Sequence, residues 1–221
     1  MSKAVAHNEA ERKHTRAKAR PGRRERAKQE KREKIVDAAR HLFTTKGFDR
    51  TTTSEIAERA DIGSGTLFTY APTKDDLLVM VFHDEIMAVN RRAFEDVPSQ
   101  LPALDQIVHV FAQMISYHEQ DMDLHRRITK ILMDAPDAGR LRDINEMNAL
   151  VHEGFSNIVR SRQQAGELSP KVDPDTAGKT FFAIYYLNML LWMAAVYSKD
   201  ELLNHLRQQI GLAITGMAAG L

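Results

Sequence analysis

The sequence predicts an all-α protein in which a small N-terminal helical bundle precedes a larger helical domain. Apolar residues recur at helical spacing from residue 35 onward, and no segment shows the strict apolar–polar alternation of a half-buried strand. Helices predicted up to residue 71 are shorter than those that follow. Breaks between the helical patterns are predicted at Val97–Ser99, Leu101–Pro102, Ala135–Pro136, Gly166–Pro174 and Ser198–Asp200.

The composition excludes several kinds of site. The 221 residues are 43% hydrophobic and 28% charged, which is enough apolar material for a substantial core. Cysteine is absent, so disulfides and cysteine-ligated zinc are excluded. No pair of histidines has the spacing of a local metal site, and no glycine-rich phosphate loop or Ser/His/Asp grouping is present. We therefore expect no metal site, no cofactor and no enzymatic activity.

Charge is unevenly distributed along the chain. Residues 1–34 contain 13 Lys/Arg against 5 Asp/Glu, whereas the whole chain has a net charge of only +1. Residues 1–29 are predicted to form a basic, disordered arm, because residues 1–22 are polar and lack an apolar period. Such an arm can follow the phosphates of nucleic acid, and it can equally be a solvated tail. The sequence leaves these two interpretations open.

No segment is predicted to export the chain or to cross a membrane. The N-terminus lacks the apolar stretch of a signal peptide. The most hydrophobic segment, Phe181–Tyr197, matches only the shortest membrane spans of about 17 residues. It contains Asn188, and we interpret it as a buried helix. A cytoplasmic protein is therefore expected.

Two short helices are predicted at the start of a domain that spans residues 30–78. The first ends at Lys46–Gly47, where glycine can adopt the left-handed conformation. The second begins with a capping box at Thr52–Glu55, and its small buried face allows helices to cross closely. The apolar stripe of the first consists of Ile35, Ala38, Ala39, Leu42 and Phe43, and the buried face of the second of Ile56, Ala57 and Ala60.

A third helix, Ser64–Tyr70, follows the three-residue link Asp61–Gly63. Leu67 is its only clear core residue, and most of its other side chains are small or hydroxylated. Glycine inside a helix costs about 1 kcal/mol relative to alanine, so Gly65 indicates a need for close approach to another molecule. Two short helices with a tight link, the second with a polar outward face, are typical of a helix-turn-helix in the major groove of duplex DNA.

An ordered set of motifs resembles the DNA-binding domain of the TetR family of transcriptional regulators; the motifs are Lys46–Phe48, Thr52–Ala57, Ile62, Gly65–Tyr70 and Pro72–Leu78. The resemblance covers residues 30–78, roughly a fifth of the chain. It implies an all-helical, dimeric regulator, usually a repressor that a small ligand releases from DNA. The chain departs from the family pattern with Asp61–Gly63 in place of Gly-Val-Ser, Phe68 in place of tyrosine and Ala71 in place of an aromatic residue.

The resemblance also implies which residues contact DNA. The second helix would reach phosphate from its first turn, and the third would face base edges and nearby backbone. Lys74 would hold a phosphate at the positive end of its own helix. Capping is the expected main role of Thr52 and Thr73, and packing on Leu77 is the alternative for Tyr70. The full DNA-binding set is Thr52, Thr53, Ser64, Gly65, Thr66, Phe68, Thr69, Tyr70 and Lys74.

Residues 79–221 are predicted to form a helical ligand-binding and dimerisation domain. The segments 175–197 and 199–220 are apolar on more than one side and must be buried by something. The resemblance implies that they form a four-helix interface with a second copy of the chain, and a monomeric core is the alternative. The helix that begins near Lys74 continues into this domain and could transmit a movement to the DNA-binding part.

An apolar or aromatic ligand could bind among the methionine and aromatic side chains of this domain. Each of these side chains could equally be an ordinary core residue. Asn188 is the best candidate for a polar contact with the ligand, or it could form a hydrogen bond across the dimer. The candidate ligand-binding residues are Met87, Phe111, Met114, Met147, Phe155, Tyr185, Asn188, Met189 and Trp192.

The sequence thus favours a sequence-specific DNA-binding transcriptional regulator, expected to be a repressor that a small apolar or aromatic ligand releases from its operator. Expected partners are double-stranded DNA, a second copy of the chain and a small-molecule effector. One alternative is a DNA-binding regulator or architectural protein without such a ligand. Another is a helical enzyme or carrier with an incidental N-terminal domain. The third helix offers no Arg, Asn or Gln for bidentate base contacts, so DNA shape is expected to contribute to specificity.

Overall fold

A computed structural model describes residues 22–134 and 138–218 of the chain. Within these ranges the regular structure is entirely helical, apart from an isolated β-bridge between Leu168 and Ala218. The chain divides into two compact units, Met1–Pro72 and Thr73–Leu221, called the head and the body below. The all-α prediction is confirmed.

Nine helices lie within the described ranges, three in the head and six in the body. The head ends before the predicted domain boundary at residue 78, because the whole of the fourth helix belongs to the body. The helices are α1 (Arg23–Lys46), α2 (Thr53–Arg59), α3 (Ser64–Tyr70), α4 (Lys74–Glu95), α5 (Ala103–Glu119), α6 (Met122–Met133), α7 (Ala138–Gln164), α8 (Pro174–Met193) and α9 (Lys199–Thr215).

Helix α1 begins at Arg23, so the prediction of a disordered arm over residues 1–29 is wrong for residues 23–29. The rest of the predicted arm, residues 1–21, lies outside the described residues. No residue of α1 before Ile35 is buried, which is why the apolar pattern did not reveal this part of the helix. Its Arg, Lys, Glu, Gln and Ala residues favour a helix without burial, and Gln29 donates a hydrogen bond to Glu33 one turn later.

The capping box predicted at the start of α2 is confirmed. The Thr52 hydroxyl oxygen accepts a hydrogen bond from the Glu55 N–H, and the Thr52 N–H donates to a Glu55 carboxylate oxygen. Glu55 also accepts a hydrogen bond from Lys46 at the end of α1. Bonds from Lys46 and then from Thr52 lower the pKa of Glu55 to about 2. Glu55 therefore stays ionised at neutral pH and joins the end of α1 to the start of α2.

Within the body, α7 and α8 have the most extensive helix–helix contact. Gly178 of α8 allows their backbones to approach, because a Cβ there would lie 2.8 Å from the His152 carbonyl oxygen of α7 and 3.0 Å from Ser156 Oγ. The Ser156 hydroxyl lies 2.8 Å from the same carbonyl oxygen and 3.2 Å from that of Pro174. The close contact of α7 and α8 thus depends on a glycine opposite a small polar residue.

The last two helices end earlier than the apolar pattern predicts. Helix α8 ends at Met193, where the predicted segment continues to residue 197, because Ala195 adopts a left-handed conformation with φ 60°. The Val196 N–H then donates to the Leu191 carbonyl, which closes the helix end. Helix α9 ends at Thr215 with Gly216 as its cap, where the predicted segment continues to residue 220. None of the helices in the described ranges is long and apolar enough to cross a membrane.

Replacement of Gly178 by alanine is expected to destabilise the body. The added methyl group would collide with the backbone of α7, and overpacking of this kind costs about 1–3 kcal/mol. Urea unfolding followed by circular dichroism measures the change. Gly211→Ala on α9 is the matched control: its Cβ would make only an ordinary contact, 3.8 Å from Leu104, so it should stabilise the helix by up to about 1 kcal/mol. Equal effects of the two substitutions would contradict the proposed role of Gly178.

Candidate functional site

Helix α3 presents most of its surface to solvent. Leu67 is its only buried residue, with 0% exposure, and the whole helix lies within the described residues. Gly63 precedes it as an N-cap without a side-chain hydrogen bond, as expected from the glycine at that position. The residues predicted to face DNA divide into exposed and half-buried groups; Ser64, Gly65, Phe68 and Thr69 are exposed, and Thr66 and Tyr70 are half-buried.

Gly65 has no packing role within the described chain. A Cβ built at this position would have no heavy atom within 4 Å of it, apart from the neighbouring residues and the backbone of its own helix. Alanine would therefore fit, and it would favour the helix by about 1 kcal/mol. The close approach of another molecule at this glycine stays a prediction.

The threonine hydroxyls near α3 are partly committed to local bonds. Thr52 caps α2, as predicted, and Thr53 is half-buried in the first turn of that helix. The Thr69 hydroxyl donates to the Thr66 carbonyl oxygen at 2.7 Å. A hydroxyl that donates in this way keeps lone pairs that can accept a bond. Thr69 can thus meet a donor on a base edge, but its proton is not available to a phosphate unless the side chain rotates.

Tyr70 makes a contact that the sequence does not reveal. Its hydroxyl lies 3.3 Å from the backbone carbonyl oxygen of Lys28 on α1, and donates to it. Neither predicted alternative, a phosphate contact or packing on Leu77, anticipates this bond. A surface depression beside Tyr70 is lined by the basic side chains Arg24, Lys28 and Lys31, together with Glu25 and Ala27. The sequence does not indicate this contact because the two residues are 42 positions apart. The contact also requires α1 to begin before residue 28.

Lys74 occupies the first position of α4, in the body. The Thr73 hydroxyl oxygen accepts from the Asp76 N–H, and Asp76 bonds back to the Thr73 N–H, so the second predicted capping box is confirmed. Asp76 also pairs with Arg140 of α7 at 2.9 Å, with both side chains largely buried. The start of α4 is therefore fixed to α7.

The body contains a cavity of about 350 Å³. Four of the nine predicted ligand-binding residues line it: Met114, Met147, Tyr185 and Met189. Residues that sequence reasoning missed complete the wall, and they come from α4 to α8; these are Phe82, Ile86, Asn90, His118, Thr129, Leu132, Ile144, Asn148, Val151, Phe182 and Tyr186. Their helical spacing could have indicated shared faces on α4 (Phe82, Ile86, Asn90), on α7 (Ile144, Asn148, Val151) and on α8 (Phe182, Tyr186).

The other five predicted ligand-binding residues lie outside the cavity wall. Phe111 and Phe155 are fully buried in the core with ring centroids 4.9 Å apart, and Met87 and Trp192 are also buried. The Asn188 amide nitrogen donates to the Ile184 carbonyl at 2.8 Å and to Gln209 Oε1 at 2.9 Å. Asn188 thus connects α8 to α9 within one protomer, and its amide protons are used by neither a ligand nor a second copy.

Two buried histidines lie beside the cavity. The rings of His118 and His125 meet edge-on with centroids 4.8 Å apart, and His118 stacks on Phe82 at 6.4 Å. Burial first, and the neighbouring His125 second, lower the pKa of His118 to about 3. Burial also lowers the pKa of His125. Both rings are therefore neutral at physiological pH.

The outer side of α8 and α9 carries exposed apolar residues. Leu187 is 59% exposed and Leu212 is 77% exposed. Ala183 and Ala194 are also exposed and lie on the same side of α8 as Leu187, at helical spacing. The opposite side of α9 is buried in the core by Leu202, Leu206 and Ile210. These two helices therefore have apolar residues on both sides, as predicted from the sequence.

Comparison with known proteins indicates the family to which the DNA-binding head is similar. The model of the family described as bacterial regulatory proteins, tetR family, matches residues 35–81. Among curated proteins, the HTH-type transcriptional repressor KstR of Rhodococcus jostii is 24% identical over 85% of this chain and 84% of its own. The fatty acid metabolism regulator protein of Bacillus subtilis is 23% identical over 72% of this chain and 81% of its own.

Solved structures extend the similarity to the body. FadR of Thermus thermophilus, described as a TetR-family transcriptional repressor and solved with lauroyl-CoA, has a TM-score of 0.66 and 26% identity over 84% of this chain and 94% of its own. FadR of Bacillus subtilis, solved with stearoyl-CoA, has a TM-score of 0.61 and 21% identity over 84% of this chain and 98% of its own. Family model, curated relatives and fold all indicate the TetR family of transcriptional regulators, whose DNA-binding domain matches residues 35–81.

Proposed function

We propose that the protein is a dimeric transcriptional repressor whose head binds a near-palindromic operator and whose body binds a small apolar effector that releases it. The observation that carries this proposal is the solvent-facing α3, in which Leu67 alone is buried. A short helix with one anchored residue and a small polar surface suits the major groove. Its place of action would be the cytoplasm, and its activity would be binding rather than catalysis.

Recognition by α3 would depend on close backbone approach and DNA shape more than on bidentate base contacts. Ser64, Thr66 and Thr69 offer hydroxyls, and exposed Phe68 offers an apolar surface that suits a thymine methyl group. The proposed phosphate contacts are Thr53, Lys74 and Tyr70, and the Tyr70 hydroxyl would have to leave the Lys28 carbonyl to donate to a phosphate. Thr52 would contribute through the cap it makes on α2.

The substitution Gly65→Ala is expected to separate stability from DNA binding. The methyl group meets no atom of the described chain, so the head should be stabilised by up to about 1 kcal/mol. The same methyl group would stand between α3 and the bases, and we expect operator affinity to fall by about tenfold or more. Fluorescence anisotropy on an operator selected from a random duplex library measures the affinity. Unchanged affinity would exclude close approach of DNA at Gly65.

The exposed apolar residues of α8 and α9 support the proposed dimer. A symmetric interface buries the same patch on both copies, and both α8 and α9 carry an exposed leucine, Leu187 and Leu212. Dimerisation would also place two heads on the two half-sites of a palindrome.

Leu187→Glu is expected to weaken the dimer, because it places two charges in an apolar interface. Sedimentation velocity near micromolar concentration should show mainly monomer, whereas the unsubstituted chain should sediment as a dimer. Leu141→Glu is the control, since Leu141 is a similarly exposed leucine of α7 at 48% exposure. A Leu187→Glu variant that remains dimeric would contradict the proposed interface.

The cavity in the body is the proposed effector site. Lauroyl-CoA and stearoyl-CoA are the ligands in two similar structures, so lauroyl-CoA is the first probe. Phe82, Ile86 and Asn90 line the cavity from α4, and α4 begins four residues after α3 ends. A ligand that moves α4 would therefore act on the segment that directly follows the DNA-binding helix.

Ile144→Trp is expected to block effector binding without affecting DNA binding. Ile144 lines the cavity and is half-buried, so a larger ring can enter the cavity without displacing the core. Operator affinity should be unchanged, and release by lauroyl-CoA should be lost. Leu141→Trp, one turn earlier on the exposed side of α7, should still be released. Loss of release in both variants, or in neither, would contradict this site, and operator binding unaffected by any screened compound would favour a regulator without a small ligand.

A further inference from the structure

Three residues that line the cavity each carry a buried polar atom without a hydrogen-bond partner in the described parts of the chain. The atoms are Asn90 Oδ1, His118 Nδ1 and the Tyr185 hydroxyl. Their residues are only 4%, 6% and 3% exposed. An unsatisfied buried polar group costs about 1–3 kcal/mol, so three of them in one cavity call for an explanation. A molecule bound in the cavity would supply hydrogen-bond partners for these atoms.

The three atoms are distributed along the cavity. His118 stacks on Phe82, with ring centroids 6.4 Å apart. Asn90 lies two turns further along α4 than Phe82, about 12 Å at the helical rise. Tyr185 stacks on Phe111, with ring centroids 4.6 Å apart, and Phe111 lies about 10 Å along α5 from His118. The cavity therefore offers hydrogen-bonding groups at two levels separated by roughly 10–12 Å.

No charged side chain lines this cavity among the residues described. Its wall contains apolar and aromatic residues with Asn90, His118, Thr129, Asn148 and two tyrosines. Burial keeps the His118 ring neutral, since its pKa is lowered to about 3, and burial raises the pKa of Tyr185. A carboxylate or ammonium group placed here would be desolvated without an opposite charge, which is strongly unfavourable.

We infer that the part of the effector inside the cavity is uncharged and apolar and carries at least one hydroxyl group, bonded to Tyr185 or Asn90. A hydroxyl can accept from the Tyr185 phenol and donate to Asn90 Oδ1, so it satisfies both kinds of atom. A second neutral oxygen at the other level would bond to His118. This inference rests on the proposed effector site and specifies the chemistry that the site selects.

The test uses the full-length chain and three ten-carbon probes, namely 1-decanol, 1,10-decanediol and decanoate at pH 7.5. Isothermal titration calorimetry measures their affinities. We expect decanoate to bind at least about tenfold more weakly than 1-decanol, because its carboxylate would be unpaired. The affinity for the diol should be at least as high as that for 1-decanol. If its second hydroxyl found no hydrogen-bond partner in the cavity, the diol would bind several-fold more weakly. Equal binding of decanoate and 1-decanol, or much weaker binding of the diol, would overturn the inference.

Tyr185→Phe removes one of the three atoms and keeps the ring that stacks on Phe111. The affinity for 1,10-decanediol should fall about fivefold, as for the loss of one hydrogen bond. The melting temperature of the free protein should stay the same or rise, because an unpartnered buried hydroxyl is removed. If the hydroxyl had a purely structural role, Tyr185→Phe would leave the affinity for the diol unchanged and would lower the melting temperature. Tyr197→Phe is the control, since Tyr197 lies in the connection before α9 and outside the cavity wall. It should leave the affinity for 1,10-decanediol unchanged.

The outcomes separate this inference from the proposed function. If lauroyl-CoA releases the operator and Ile144→Trp prevents this, the cavity is the effector site whatever the probes show. Tyr185→Phe and the decanoate comparison then decide the polar specificity alone. If Ile144→Trp leaves both release and probe binding intact, the effector site is elsewhere and the inference fails with it.

Discussion

The burial of Leu67 is the interaction on which the DNA-binding surface depends. Helix α3 has only seven residues and no other side chain in it is buried, so Leu67 anchors α3 in the head, and the hydrogen bond from Tyr70 to Lys28 is a second connection, to α1. The exposed positions Ser64, Gly65, Phe68 and Thr69 are left available for contact with DNA. This anchoring also explains why the helix can tolerate Gly65, since a glycine inside a helix weakens it by about 1 kcal/mol relative to alanine.

Stability in the body comes from a different source. Its core is continuous and rich in aromatic rings, with Phe111 stacked on Tyr185 and packed at a tilt against Phe155. The cavity lies directly beside this core, and Tyr185 belongs to both. Tyr185 therefore contributes a stacked ring to the core, and this residue of the cavity wall also carries a buried hydroxyl without a hydrogen-bond partner among the described residues. Asn188, by contrast, meets its hydrogen-bonding needs within the protomer and holds α8 to α9.

Two features of the head were not apparent from its sequence. The first half of α1 has a single apolar residue, Ala27, and so no apolar pattern to mark it as a helix, because it is stabilised by intrinsic propensity and local pairs and not by burial. The bond from Tyr70 to the Lys28 carbonyl follows from that extension and brings basic side chains of α1 beside α3. The positive charge at this end of the chain is thus partly carried on a helix.

The sequence by itself determined the all-helical fold, both capping boxes and the exposed face of α3, because each depends on residues within one or two turns of each other. The pairing of Glu55 with Lys46 and the left-handed Ala195 were decided by the tertiary structure. So was the cavity wall, since it joins residues of α4 to α8 that lie far apart in the chain. Methionine and aromatic residues have the same periodicity in a core and in a ligand site, which is why Phe111 and Met114 could not be distinguished before their neighbours were known.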